Sequence, residues 1–111
     1  MQIQQHEITI TVGSLSLKGR LDAQNAPKLK EMWQYYATRG VNNVVLDLHQ
    51  TDFIGSIGIS TLVAGMKQFR ARGGDLRLVG LQPSARSIFE LMMLDKVFEI
   101  FDTQEEALKG F

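Results

Sequence analysis

The sequence predicts an α/β fold in which a mixed, mostly parallel β-sheet begins with an N-terminal β-hairpin and carries about four helices. Two segments near the start, "EITITV" and "LSLKGRL", alternate in polarity with period two, as half-buried strands do. A later segment, "VNNVVLDL", is almost continuously apolar, which is the pattern of a buried central strand. Segments with helical periodicity separate the remaining strands, and this alternation is typical of parallel strands joined by right-handed crossovers.

The N-terminal part of the chain is predicted to form the hairpin and the first helix. The two alternating segments flank Gly13 and Ser14, which we interpret as the hairpin turn. Residues 22–25 favour a helix start, Pro27 is compatible with a first turn, and Gly40 is the expected C-terminal cap. The apolar residues at helical spacing are Ala26, Leu29, Trp33 and Tyr36, with Met32 beside them.

The C-terminal part is predicted to contain three more helices and two short strands. One helix follows the central strand and buries a single face, formed by Ile59, Leu62, Val63, Met66 and Phe69. "RGGD" ends that helix, and "LRLVGL" is the next strand. The third helix, "SARSIFELMML", is expected to direct Ile88, Leu91 and Met92 inward. "VFEIF" is a short extended segment, and a capping box from Thr103 to Glu106 opens the last helix.

Composition and charge indicate one soluble domain, taken as residues 1–111. Twelve acidic and twelve basic residues balance, whereas a nucleic-acid-binding protein usually carries a basic excess. The absence of cysteine excludes disulfides, thiolate catalysis and the common zinc sites. Because we find neither a signal peptide nor an apolar segment of about 18 residues, we expect a cytoplasmic protein without membrane insertion.

The segment "FIGSIGISTLV", residues 53–63, raises the question of function most directly. Ser56 lies between glycine and isoleucine, where the buried strand is predicted to give way to a helix. The carboxyl ends of parallel strands are where ligands and partners usually meet such sheets. Ser56 could therefore act as a helix N-cap, as a phosphate acceptor or as a nucleophile.

Catalytic, cofactor and metal sites are not expected. The nucleophile elbow has the pattern G-x-S-x-G, but Ile54 occupies its first glycine position. Asp47 and His49 alternate along one strand end and would not easily complete a triad. The phosphate-binding patterns GxxxxGK[ST] and GxGxxG are missing. His6 and His49, the two imidazoles, are expected to be solvated, so we predict a non-enzyme without cofactor or metal.

A basic segment in the second half of the sequence has two interpretations. It contains one acidic residue, Asp75, against Lys67, Arg70, Arg72, Arg77 and Arg86. The segment is either a solvated helix face with its following turn or a docking surface for an acidic partner.

The order of elements and several local sequence segments resemble the STAS domain family, specifically anti-sigma factor antagonists that are switched by serine phosphorylation. "LKGRLDAQNAPKLKE" is similar to the start of the family's first helix. "NNVVLDLHQTDFIGSIGISTLV" resembles its central strand and the following Asp-Ser-Ser/Thr-Gly-Leu/Ile segment. "RARGGDLRLVGLQPSARSIFELMMLDKVFEIFDTQEEAL" is similar to its C-terminal half. The resemblance covers nearly the whole chain and implies a STAS-like fold.

The resemblance also implies a function. In this family the domain binds an anti-sigma factor that is also a serine kinase, and thereby releases a sigma factor. The kinase phosphorylates the second hydroxyl residue of the Asp-Ser-Ser/Thr-Gly segment, and a phosphatase reverses the modification. The expected partner is therefore a protein, with no direct binding of nucleic acid, and the expected oligomeric state is a monomer or a weak dimer.

This sequence departs from the family pattern at the switch itself. Gly55 stands at the acidic position, Ser56 at the first serine, and Ile57 at the usual phosphoacceptor position. Three interpretations follow. Ser56 takes the phosphate instead, or the protein is permanently competent to bind, or it is a non-switching STAS subunit of a membrane-transport or multi-protein sensory complex. Ser60 and Thr61 also carry hydroxyls, but they are expected on the helix surface.

By resemblance, the candidate phosphoacceptor is Ser56. The candidate partner-binding residues are Asp22, Gly55, Ser56, Ile57, Gly58 and Ser60, with Arg20 and Asn25 as secondary candidates beside Asp22.

Overall fold

The fold consists of five strands, four α-helices and one 3₁₀ turn in a computed structural model that describes residues 1–9 and 12–111. The elements in chain order are β1 Gln2–Thr9, β2 Val12–Leu21, α1 Ala26–Thr38, β3 Asn43–Ile54, α2 Ser56–Ala71, β4 Asp75–Val79, α3 Pro83–Leu91, the 3₁₀ turn Leu94–Lys96, β5 Ile100–Phe101 and α4 Gln104–Leu108. None of the helices in this described part of the chain combines the length and the apolar character that a membrane span requires.

The strands form one mixed sheet in the order β1-β2-β3-β4-β5. β1 pairs with β2 antiparallel, and each later pair is parallel. The predicted fold class is therefore confirmed, including the N-terminal antiparallel pair.

The predicted position of the hairpin turn is wrong. Gly13 and Ser14 lie inside β2 and pair with β1, while the residues between the two strands, 10 and 11, lie outside the described residues. Gly13 is needed for close packing instead, because a Cβ there would lie 2.5 Å from the ring of Tyr36. Ser14 is buried, and its hydroxyl accepts a hydrogen bond from Gln104 Nε2 at 3.0 Å.

The helices cover the two faces of the sheet unequally. Side chains from α1, α2 and α3 share the main core with alternate residues of β2, β3 and β4. The C-terminal helix α4 packs on the other face, where Ala107 joins a small cluster with Val12, Val45 and Val79. Because strand side chains alternate between faces, β2, β3 and β4 each contribute to both clusters.

The first two helices pack through a tryptophan and a glycine. Trp33 of α1 is buried, meets Phe69 of α2 edge to face at 5.5 Å, and donates from Nε1 to the carbonyl of Thr61 at 3.1 Å. A Cβ on Gly65 would lie 2.5 Å from the Trp33 ring, so this glycine permits the close approach of the helices. The predicted helical faces of α1 and α2 are confirmed, with Val63 half-buried. Gly40, at φ 71°, follows the end of α1 as expected.

The predicted inward face of α3 is wrong. Ile88, Leu91 and Met92 are exposed at 41%, 85% and 53%, while Ala85 and Phe89 are the buried residues of the helix. Phe89 packs against Phe98 with ring centroids 5.8 Å apart. The helix is short and buries one i, i+4 pair, Ala85 and Phe89, against the core. Ile88 lies on a neighbouring apolar stripe, rotated by roughly 100° about the helix axis, and that stripe faces solvent.

The predicted N-cap of α4 is confirmed. Thr103 Oγ1 accepts a hydrogen bond from the backbone N–H of Glu106 at 3.2 Å.

Candidate functional site

The candidate site lies where β2 and β3 end side by side and α2 begins. Strand β2 ends at Leu21 and β3 at Ile54, which pair in parallel. The backbone N–H of Gly55 donates to the carbonyl of Leu21 at 3.0 Å. The carboxyl ends of two adjacent strands thus fix the start of α2, in the position predicted from the sequence.

Ser56 is the first residue of α2, as the predicted helix start requires, but Gly55 is the N-cap, so the capping interpretation of Ser56 is wrong. Gly55 is the N-cap because its backbone is extended, at φ −84° and ψ 178°, and its carbonyl accepts the first helical bond, from Ile59 at 2.9 Å. Among the described residues, no side chain or backbone group is hydrogen-bonded to the Ser56 hydroxyl, and the residue is exposed. The Ser56 hydroxyl is therefore free and exposed on the first turn of α2.

Ile57 exposes an apolar side chain next to that hydroxyl. It is 47% exposed, and Phe53 at the end of β3 is 41% exposed. The Ile57 carbonyl accepts hydrogen bonds from Ser60 Oγ at 2.9 Å and Thr61 Oγ1 at 2.8 Å. Ser60 lies on the surface as predicted, but Thr61 is 1% exposed, so its predicted surface position is wrong. The outward-facing residues at the start of α2 are thus Ser56, Ile57 and Ser60.

Asp22 organises the loop beside this helix start. Its carboxylate accepts hydrogen bonds from the backbone N–H groups of Gln24 and Asn25 at 3.1 and 3.3 Å. Arg20 Nε lies 3.5 Å from the same carboxylate, and the Arg20 guanidinium stacks 4.1 Å above the centroid of the Phe53 ring. The structure therefore joins the Asp22 loop to the end of β3, next to α2.

Gly58 is buried beneath this surface, and its replacement by alanine is expected to destabilise the protein. A Cβ there would lie 2.7 Å from the Leu21 carbonyl oxygen and 2.8 Å from Leu21 Cγ, so α2 would have to shift. Alanine favours a helix by about 1 kcal/mol, but overpacking costs about 1–3 kcal/mol. Because the nearest atom is a backbone oxygen, which cannot rotate away, the upper half of the overpacking range applies, and we expect the free energy of unfolding in urea to fall by about 1–2 kcal/mol.

Gly55→Ala is the matched control for that substitution. The Gly55 backbone conformation is open to any residue, and an added Cβ would come no closer than 3.2 Å to another atom, in the exposed ring of Phe53. Alanine is a poorer N-cap than glycine, but without a backbone clash the loss should stay below about 1 kcal/mol. Equal losses in the two variants would contradict the packing role of Gly58.

A shallow apolar groove of about 480 Å³ runs from Ser56 along α2. Its walls are formed by Ser56, Ile59, Ser60, Val63, Ala64 and Lys67 of α2 and by Met92 and Leu94 beyond α3. The sequence did not predict this groove, because Met92 was expected to face inward and lies far from α2 in the sequence.

The basic segment mostly contacts the protein itself. Four of its five cations have acceptors within the chain at 2.8–3.5 Å. These are Asp75 for Arg70, Asn42 for Arg72, the Ala107 carbonyl for Arg77 and Asp102 for Arg86. Lys67 alone has neither an ion pair nor a hydrogen bond to the described residues.

His49 and Asp47 do not converge on Ser56. His49 lies within β3 rather than at its end, and its Nδ1 is 2.7 Å from Asp47 Oδ1. No hydrogen bond joins either residue to Ser56 in the part of the chain that the structure describes. Among the residues whose side chains the structure describes, no group of three or more His, Asp or Glu is placed to hold a metal ion.

The chain is similar to known proteins of one family in both sequence and fold. The STAS domain profile matches residues 3–107. The anti-sigma-B factor antagonist of Listeria monocytogenes is 31% identical over 88 residues, which cover 79% of this chain and 77% of that protein. RsfB of Mycobacterium tuberculosis, an anti-sigma-F factor antagonist, is 30% identical over 109 residues, covering 93% and 88%. The crystal structure of tm1081 from Thermotoga maritima has a TM-score of 0.89 at 25% identity, covering 96% of this chain and 92% of that chain. The protein is therefore a member of the STAS domain family.

Proposed function

We propose that this protein is an anti-sigma factor antagonist, which binds an anti-sigma factor of the serine-kinase class and thereby releases a sigma factor. The observation that carries the proposal is the exposed start of α2, where a free hydroxyl and an exposed isoleucine lie side by side. Relatives of similar length that are at least 30% identical to this chain carry the name of anti-sigma factor antagonists. Since sigma factors act on RNA polymerase, we place the protein in the cytoplasm, with a protein partner and no catalytic role of its own.

The binding surface we propose consists of Ser56, Ile57 and Ser60 together with the Asp22 loop. Ile57 contributes an apolar contact, and desolvating such a side chain favours association. The Asp22 carboxylate is partly exposed, at 29% of its side chain, and offers an acceptor at the edge of the surface. Gly58 shapes the surface, because its small size lets α2 start close against Leu21 of β2, and Gly55 forms the N-cap where α2 begins.

Ser56 is the proposed phosphoacceptor. A phosphate adds about −1.5 to −2 charges near pH 7, and the N-terminus of its own helix favours that charge. The fold should therefore tolerate the modification. The partner interface would lose affinity, because a new charge must be desolvated against a surface that accommodates a hydroxyl and an isoleucine. A hundredfold loss corresponds to about 2.7 kcal/mol.

The experiment that tests the proposal is affinity capture of the tagged protein from its own host, with partners and phosphopeptides identified by mass spectrometry. We expect an anti-sigma factor among the partners and phosphate on Ser56. The same partner without phosphate would indicate a permanently competent antagonist. A transporter or sensor subunit in its place would contradict the proposed function and favour a non-switching STAS subunit.

The Ile57→Ser variant is expected to gain a phosphorylation site. Ile57 is exposed in the first turn of α2, so a hydroxyl at this position is accessible to a kinase. Incubation with the captured anti-sigma factor and Mg-ATP should label position 57 in a peptide map, and Ser56→Ala in the same background removes any label on the neighbouring serine. If position 57 of the variant stays unlabelled while the same kinase labels Ser56 of the parent, the alignment at position 57 is wrong.

A further inference from the structure

Four large apolar side chains at the end of α3 are exposed together. Ile88, Leu91, Met92 and Met93, hereafter the α3 patch, are exposed at 41%, 85%, 53% and 57%. Single exposed apolar residues are common on protein surfaces, but a contiguous group marks an interaction site. These residues fall outside the hydrophobic core of the described chain and outside the side chains packed against it.

Met93 belongs to this patch although its backbone conformation is unfavourable for a residue with a side chain. Its φ of 60° and ψ of 22° are left-handed, and it follows the C-cap of α3, Met92. Glycine is the usual residue at this position, because a side chain is disfavoured in left-handed backbone. A methionine that is 57% exposed gains little from packing in return. A contact with another molecule therefore explains the methionine at position 93 better than a contribution to the stability of the fold does.

The α3 patch is continuous with the start of α2. Met92 lines the groove that Ser56, Ser60, Val63 and Lys67 line from the other side. These α2 positions follow one another at intervals of three or four residues, so they form one stripe about 16 Å long. A partner seated on Ser56 and Ile57 would reach Met92 along this stripe.

The charge of the groove indicates what kind of segment fits it. Lys67 is its one cation and is exposed, and within the described residues it has no acidic partner. Arg70, one turn further along, is already held by Asp75 and by the Val97 carbonyl. A segment that fills the groove can therefore place a carboxylate at Lys67.

We propose that the α3 patch and the groove form the second half of the docking surface for the anti-sigma factor. The occupant is an amphipathic helix of that partner, which packs apolar side chains against Met92 and Leu91 and places a carboxylate at Lys67. The proposal rests on the proposed function, because the partner is the same protein.

The test compares binding of the captured and purified anti-sigma factor to paired variants by calorimetry. Leu91→Glu and Lys67→Glu should each raise the dissociation constant about tenfold or more, as loss of a central contact does. The matched controls Gln34→Glu and Lys30→Glu are exposed helix positions on α1 and should stay within about twofold of the parent. Met93→Gly should raise the melting temperature and still weaken binding, a combination that a merely structural residue would not give.

The outcomes separate this proposal from the function on which it rests. If Ile57→Asp loses binding while Leu91→Glu and Lys67→Glu bind like the parent, the α3 patch is not part of the interface and the proposed function stands. If the parent sediments as a dimer that Leu91→Glu dissociates without a change in partner affinity, the patch binds a second copy and the proposal is overturned. If the parent binds no anti-sigma factor of its host, both proposals fail.

Discussion

The Ile57→Asp variant is expected to bind the anti-sigma factor at least a hundredfold more weakly than the parent, with no loss of stability. The side chain is 47% exposed, so the substitution removes little packing. The first turn of α2 contains no acidic residue, and a carboxylate there interacts favourably with the helix N-terminus, by about 0.3–1 kcal/mol. In the complex, the same carboxylate would be desolvated without a partner, and about 2.7 kcal/mol suffices for the hundredfold loss.

Calorimetric titration with the purified anti-sigma factor measures this effect, and urea unfolding of both proteins measures the stability. Ile57→Val is the matched control, because it keeps an apolar β-branched side chain and should bind within a few-fold of the parent. If Ile57→Asp binds with parental affinity, the partner does not contact the start of α2.

The Trp33→Ala variant is expected to lose about 3–5 kcal/mol of unfolding free energy, the usual cost of truncating a buried tryptophan. Trp33 is 1% exposed and joins α1 to α2 in three ways. It packs against Phe69, lies against the backbone of Gly65, and donates to the Thr61 carbonyl. Because α2 carries the candidate site, this packing also fixes the position of Ser56 and Ile57.

Circular dichroism at 222 nm is the appropriate signal for that measurement, because Trp33 is the protein's one tryptophan and fluorescence would vanish with it. Trp33→Phe keeps most of the apolar volume and loses the indole N–H, so its loss should be clearly smaller. A loss below about 1 kcal/mol in Trp33→Ala would contradict the view that this residue holds α1 against α2.

Much of the fold follows from local patterns in the sequence. The apolar run before Asp47 predicted the central strand, and the spacing from Ile59 to Phe69 predicted the buried face of α2. These predictions succeeded because a strand buried on both faces and a long amphipathic helix each require a pattern that few alternatives satisfy.

The errors arose where more than one explanation fits a local pattern. A glycine beside a serine is typical of a turn, but position 13 requires glycine because the Tyr36 ring packs against its backbone. The apolar residues of α3 predict two adjacent stripes, and only packing against Phe98 selects Phe89 over Ile88. Such choices depend on contacts between residues that are distant in the sequence.

The candidate site was predictable in position but not in extent. Ser56 and Ile57 follow a buried strand, so their place at the carboxyl edge of the sheet could be inferred from order alone. The groove requires Met92 to lie beside α2, and that depends on how α3 is rotated against the core. The sequence contains the side chains of this surface without indicating that they meet.

The most direct test of the proposed function is transcription in vitro by the sigma factor that the captured anti-sigma factor inhibits. We predict that adding this protein to the inhibited mixture restores transcription in proportion to its concentration, and that Ile57→Asp at the same concentration does not. If transcription stays inhibited at saturating protein, although the anti-sigma factor is active, the protein does not act as its antagonist.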